Sequence, residues 1–138
     1  MPSDAELRSL LGAISTIAVV GISPRPERPS HYVAAYLQGH GYRILPINPG
    51  QREVLGQTCY PDLSSLPEVP DAVVVFRRSE DVPPIAEAAV AKGARVLWLQ
   101  LGITHPEAEA AAAQAGLTVV SDRCMMVEHR RLLGDDKH

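Results

Sequence analysis

A chain of 138 residues, 46% of them hydrophobic, can bury one core and is too short for two ordinary domains. No apolar run approaches the roughly 20 residues that span a bilayer, and the opening MPSDAELRSLLG lacks the basic region and apolar core of a secretory signal. A formal net charge of -3 argues against a general nucleic-acid binder, and two cysteines outside any C-x-x-C pair, Cys59 and Cys124, read as reduced thiols in a cytoplasmic protein.

In chain order, residues 3–13 read as a helix, capped by Ser3 or Asp4, with Leu7, Leu10 and Leu11 on one face. Residues 17–20 are β-branched or apolar without interruption, as in a strand, here 16–20, buried on both faces. A loop with Gly21, Ser23, Arg25 and Arg28 follows, then a helix over 30–39 with Ser30 as its expected cap. RILPI at 43–47 is a second strand, stopped by Asn48-Pro49-Gly50. Residues 54–61 carry neither helical nor strand period and are expected to run along a surface or sheet edge. DLSSL at 62–66 suits a short helical turn.

DAVVVF at 71–76 is the next strand, followed by Arg77 and Arg78. A helix over 81–92 tolerates Pro83 and Pro84 only in its first turn. RVLWL at 95–99 is a fourth strand, and Thr104 is the expected cap of a helix over 106–115. LTVV at 117–120 is a fifth strand, 126–133 a last helix, and 134–138 a polar tail expected to be disordered. Strands alternating with helices imply an α/β, Rossmann-like, doubly wound sheet of five mostly parallel strands in a single domain, 1–138. Ligands bind such sheets at the carboxyl ends of the strands, where the strand order reverses.

The strand ends collect hydrogen-bond donors. Gly21, Ile22, Ser23, Arg25 and Arg28 follow the first strand, and Asn48 and Pro49 the second. Phe76 and Arg77 follow the third, and Gln100, Gly102 and Ile103 the fourth. A glycine lets a ligand approach the backbone, a helix N-terminus favours an anion, and arginine pairs bidentately with phosphate. Singly, each has a plain structural reading: a turn, a strand end, a solvated charge. Jointly they describe a site for a phosphorylated ligand, with little that could serve as nucleophile or base. The dinucleotide fingerprint G-x-G-x-x-G is absent, and Asn48 stands where a carboxylate would hold the ribose of NAD.

The stretches VVGISPRPERPSHYVAAYL, YRILPINPG, VLGQTCYPDLSSLP, DAVVVFRRSEDV, LWLQLGI and VVSDRCMMVEH cover nearly the whole chain. In these the chain resembles the small, stand-alone CoA-binding proteins, similar in fold to the N-terminal, CoA-binding domain of the succinyl-CoA synthetase α subunit. The resemblance implies that coenzyme A or an acyl-CoA lies across the strand ends, with Gly21 to Ser23 and Arg28 at the phosphates. Asn48, Pro49, Phe76 and Arg77 would line the nucleotide end, and Gln100, Gly102 and Ile103 the pantetheine path. The ligase α subunit also has a second domain with a phosphorylated histidine, for which 138 residues leave no room.

Among the remaining reactive residues, His129 reads as a packing or capping residue beside Glu128, His105 as a loop residue, and His31 as either a phosphate contact or a surface residue. Cys124 falls near the expected crevice, where a mixed disulfide with the CoA thiol competes with a plain core role. The reading is thus a CoA-binding protein without evident catalytic machinery. An NAD(P)-dependent oxidoreductase-type protein and a protein-interaction module on the same scaffold are the alternatives. The acyl group, protein partners and oligomeric state are not legible.

Overall fold

Apolar runs without polar interruption cannot lie on a half-solvated sheet, and here they fill the middle layer of three. The computed structural model describes residues 2–134. Its first half comprises α1 (Asp4–Ala13), β1 (Thr16–Val20), α2 (Pro29–Gly39), β2 (Arg43–Ile47), β3 (Glu53–Val54) and β4 (Gln57–Thr58). Its second comprises β5 (Ala72–Val75), α3 (Val82–Lys92), β6 (Val96–Leu99), α4 (Pro106–Gln114), β7 (Thr118–Val120) and α5 (Met125–Leu133). Short 3-10 turns at Leu63–Ser65 and Ser79–Asp81 precede β5 and α3. The expected tail falls outside the described residues except for Gly134, which follows α5.

The main sheet has the order β2-β1-β5-β6-β7 and every pair in it is parallel. Alternate residues serve opposite faces. Ile17, Val19, Val74 and Trp98 pack with Leu7, Leu11, Val33, Leu37 and Met125 of α1, α2 and α5. Ala18, Val20, Val73, Val75, Leu97 and Leu99 pack with Val82, Ala86, Ala89, Ala108 and Ala112 of α3 and α4. This is the Rossmann-like, doubly wound architecture expected from the sequence. Its order reverses between β1 and β5, which fixes where a crevice must open.

Three local expectations are corrected. Arg28 rather than Ser30 occupies the cap of α2, because Pro29 starts the helix with its fixed φ and missing N–H. Ser30 lies inside the first turn, where its Oγ accepts from the Ser23 N–H at 2.9 Å. His105 rather than Thr104 caps α4, its Nδ1 accepting from the Ala108 N–H at 3.2 Å. The aperiodic stretch after β2 contains a two-stranded antiparallel hairpin, β3–β4. Its turn, Leu55-Gly56, places both residues at positive φ (56° and 74°). A leucine seldom takes that conformation, so the residue pair gave no hairpin signal. Beyond the hairpin Tyr60 bridges Ile47 at the edge of β2, the sheet-edge course expected for this stretch.

Candidate functional site

The β1 and β5 ends meet at Gly21. Its N–H donates to the Ile47 carbonyl at 3.0 Å, and the Phe76 N–H donates to the Val20 carbonyl at 2.9 Å. Gly21 has φ +87°, and a Cβ there would lie 2.7 Å from the Phe76 carbonyl oxygen and 2.8 Å from Arg77 Cδ. Only glycine lets the chain turn this close to its neighbour.

A cleft of about 1130 Å³ opens above this point. Gly21, Ser23, Arg25, Arg28 and Ser30 line it from the β1–α2 side, and Phe76, Arg77, Arg78 and Asp81 from the β5–α3 side. Gln100, Leu101, Ile103, Cys124, Met126 and Val127 close its far end. A second cavity of about 380 Å³ lies on the β2 side, walled by Ile47, Pro49, Pro61, Leu63, Pro84, Ile85 and Ala88. Gly21, Arg77 and Asp81 belong to both, so the two spaces adjoin at the switch point.

The β1–α2 loop is held in place by its own side chains. Ser23 Oγ accepts from the Arg25 N–H at 3.1 Å, and His31 Nδ1 is hydrogen-bonded to the Ser23 carbonyl at 2.9 Å. His31 therefore shapes the loop. Helix α2 begins without a side-chain cap and without an acidic residue in its first turn. Helices α1 and α4 have both. Its positive end thus faces the cleft with no carboxylate in its own first turn. Across the cleft Arg77 and Arg78 reach Asp81 at 3.4 Å each, exposed pairs of the kind that contribute little and rearrange readily.

Sequence-expected residues divide into three groups. Gly21, Ser23, Arg25, Arg28, Phe76, Arg77, Gln100 and Ile103 line the main cleft, and Asn48 and Pro49 line the second cavity. Ile22 is wholly buried in the core, and Gly102 is exposed beyond both cavities, its N–H donating to Asp122 Oδ1 at 2.7 Å. Two members of the set act as struts. Asn48 Nδ2 donates to the Ile22 carbonyl at 2.7 Å while its Oδ1 accepts from the Gly50 N–H. Buried Gln100 accepts through Oε1 from the Met125 N–H at 2.9 Å, capping α5 from a neighbouring strand.

Sequence reasoning missed Tyr32, Val33, Gln51, Leu101, Met126 and Val127, which the fold brings to the cleft from four separate segments. Only the spacing of Tyr32 and Val33 from the start of α2 could have suggested two of them. Cys124 is half-buried at the far end, at the cap of α5, and both cysteines are free. Burial pushes the Cys59 thiol up, outweighing its contact with the Asn48 carbonyl. His129 lies away from the cleft, fully buried, with Nδ1 bonded to the Tyr36 hydroxyl and its ring packed near His40 and Tyr42. That is the packing role expected of it. Among the described residues no cluster of three or more His, Cys, Asp or Glu is arranged to hold a metal, and no helix is long and apolar enough to cross a membrane.

Comparison with known proteins decides the family, since the model of the CoA binding domain matches residues 15–130. The chain belongs to the CoA-binding domain family. This CoA-binding domain is 41% identical to the uncharacterized protein YneT of Bacillus subtilis, over 93% of the chain and 95% of that protein. It superposes on the solved structure of a hypothetical protein from Pyrococcus horikoshii with a TM-score of 0.93 and 42% identity, covering 96% and 94% of the two chains. It is also 26% identical to an ADP-forming acetate–CoA ligase of Archaeoglobus fulgidus over 78% of its own length, which is 16% of that enzyme. The CoA-binding domain is thus related to the CoA-binding part of acetyl-CoA synthetases, which are succinyl-CoA synthetase-like, as the sequence resemblance implied.

Proposed function

We propose that the chain binds coenzyme A or a CoA thioester along the carboxyl edge of the sheet, as a single-domain cytoplasmic protein without catalytic machinery of its own. The observation that carries this reading is the charge at the switch point. Four arginines, Arg25, Arg28, Arg77 and Arg78, line one cleft in a chain of net charge -3. They outnumber the one lining carboxylate, Asp81, and flank an uncapped helix N-terminus, a setting suited to a pyrophosphate. The adjoining proline- and aliphatic-walled cavity suits a purine ring. The path past Gln100 and Ile103 suits an extended pantetheine arm, whose carbonyls can accept from the Gln100 side-chain N–H, its oxygen being taken by the Met125 N–H. Family membership supports the same ligand class.

The rival nucleotide, NAD(P), is disfavoured by the same geometry. A ribose-binding carboxylate is missing after β2, and both polar atoms of the Asn48 side chain are already engaged. Thermal unfolding with CoA, acetyl-CoA, NAD, NADP and ATP separates the two readings. Each ligand is used at about a hundredfold over a micromolar dissociation constant, where binding to the native state adds about 2.7 kcal/mol. Stabilisation by CoA and not by NAD is expected, and Arg28→Ala is expected to weaken it. A flat response to all five removes the binding reading, and a response to NAD alone replaces it.

A further inference from the structure

The cleft is not uniform along its length. Its cations follow β1 and β5, the two strands at the switch point. Towards the β6–β7 edge the walls become apolar, with Leu101 and Ile103 after β6 and Met126 and Val127 on α5. Four large hydrophobic residues stand exposed among the described residues: Tyr32 (44%), Val69 (55%), Leu101 (71%) and Val127 (48%). Three of the four line this one cleft. A single exposed leucine needs no explanation, whereas apolar side chains gathered on the wall of a charged cleft mark a contact with something apolar. Free CoA would end there in a small thiol, which would leave most of that wall wet.

We infer that the ligand is an aliphatic acyl thioester of CoA, its acyl chain lying across Leu101 and Val127 at the β6–β7 end of the cleft. This rests on the reading of the cleft as a CoA site. The charges beside that end disfavour a dicarboxylic acyl group. Arg123 is paired with Glu128 at 3.1 Å, and Arg131 bridges Glu128 and Asp4. Asp122 and Glu128 line the space adjoining Leu101 and Val127, where Arg123 is the one cation, so a terminal carboxylate would meet two like charges there for one guanidinium. An unbranched alkyl chain brings no charge to that space and can lie along the apolar wall.

Calorimetric titration with CoA and with acetyl-, butyryl-, hexanoyl- and succinyl-CoA tests this. Affinity is expected to rise from acetyl to hexanoyl by about twofold per methylene, for a chain buried on one side, against the roughly fourfold of full burial. Succinyl-CoA is expected to bind no better than acetyl-CoA. The double variant Leu101→Ser/Val127→Ser, at two exposed positions, is expected to flatten the series, with its unliganded melting checked beside the parent protein. A level or falling series with CoA still bound overturns the acyl seat and leaves the CoA reading intact. So does a rise that the double variant does not change, or tighter binding of succinyl-CoA than butyryl-CoA. Failure of every member, CoA included, overturns both.

Discussion

Gly21 carries two demands at once, a left-handed backbone and an absent side chain, and each has a measurable cost. An L-residue at φ +87° is strained by about 1–2 kcal/mol. A Cβ 2.7 Å from the Phe76 carbonyl oxygen must also displace backbone at the junction of two core strands. Gly21→Ala is therefore expected to lose about 2–4 kcal/mol of unfolding free energy, measured by urea denaturation, and to weaken CoA binding more than Arg28→Ala does. A near-neutral Gly21→Ala would mean that the β5 end yields easily and does not shape the cleft. The sequence made this glycine legible, because an unbroken apolar run ended on it. It did not make Asn48 or Gln100 legible as struts. Their partners, Ile22 and Met125, lie 26 and 25 residues away, and an amide that props a loop looks like one that awaits a ligand.

At the scale of elements, strand and helix positions followed from hydrophobic period, and the misreadings fell at ends and turns. Arg28 displaced Ser30 at the start of α2, and His105 displaced Thr104 at the start of α4, because proline at the first helical position decided the register. The most consequential cap is the least local one. Helix α5 supplies Met126 and Val127 to the cleft, yet its cap residue, Cys124, makes no side-chain cap hydrogen bond. Gln100 at the end of β6 does the capping instead. Gln100→Met keeps the volume and removes the acceptor, leaving the buried Met125 N–H without its partner. A loss of about 1–3 kcal/mol is expected, with faster amide exchange at the start of α5 than elsewhere. Exchange raised evenly over the whole chain would instead point to global destabilisation.

Across the whole molecule the sheet divides its labour between its two edges. The carboxyl edge stays open and cationic, while the amino edge is tied shut by Asp71. One carboxylate oxygen accepts from the Ser15 N–H at 2.7 Å and the Thr16 N–H at 3.1 Å, and the other meets Arg95 at 3.0 Å. The starts of β1, β5 and β6 are thereby joined through one side chain. Partial burial alone would raise the Asp71 carboxyl, but the two N–H donors and the Arg95 guanidinium together hold it below its ordinary value of 3.8. A carboxyl lowered on folding stabilises above its unfolded pKa, and that contribution is lost as pH falls through the folded value. Asp71→Asn is accordingly expected to cost about 1.5–3 kcal/mol at pH 7, measured by denaturant unfolding. The gap to the parent protein should narrow as pH falls below about 4. CoA affinity at pH 7 should be unchanged, because Asp71 stands at the edge of the sheet opposite the cleft. A gap that persists undiminished in acid would assign the effect to hydrogen-bond geometry rather than charge. A fall in CoA affinity would mean that the two edges are mechanically coupled through the strands between them.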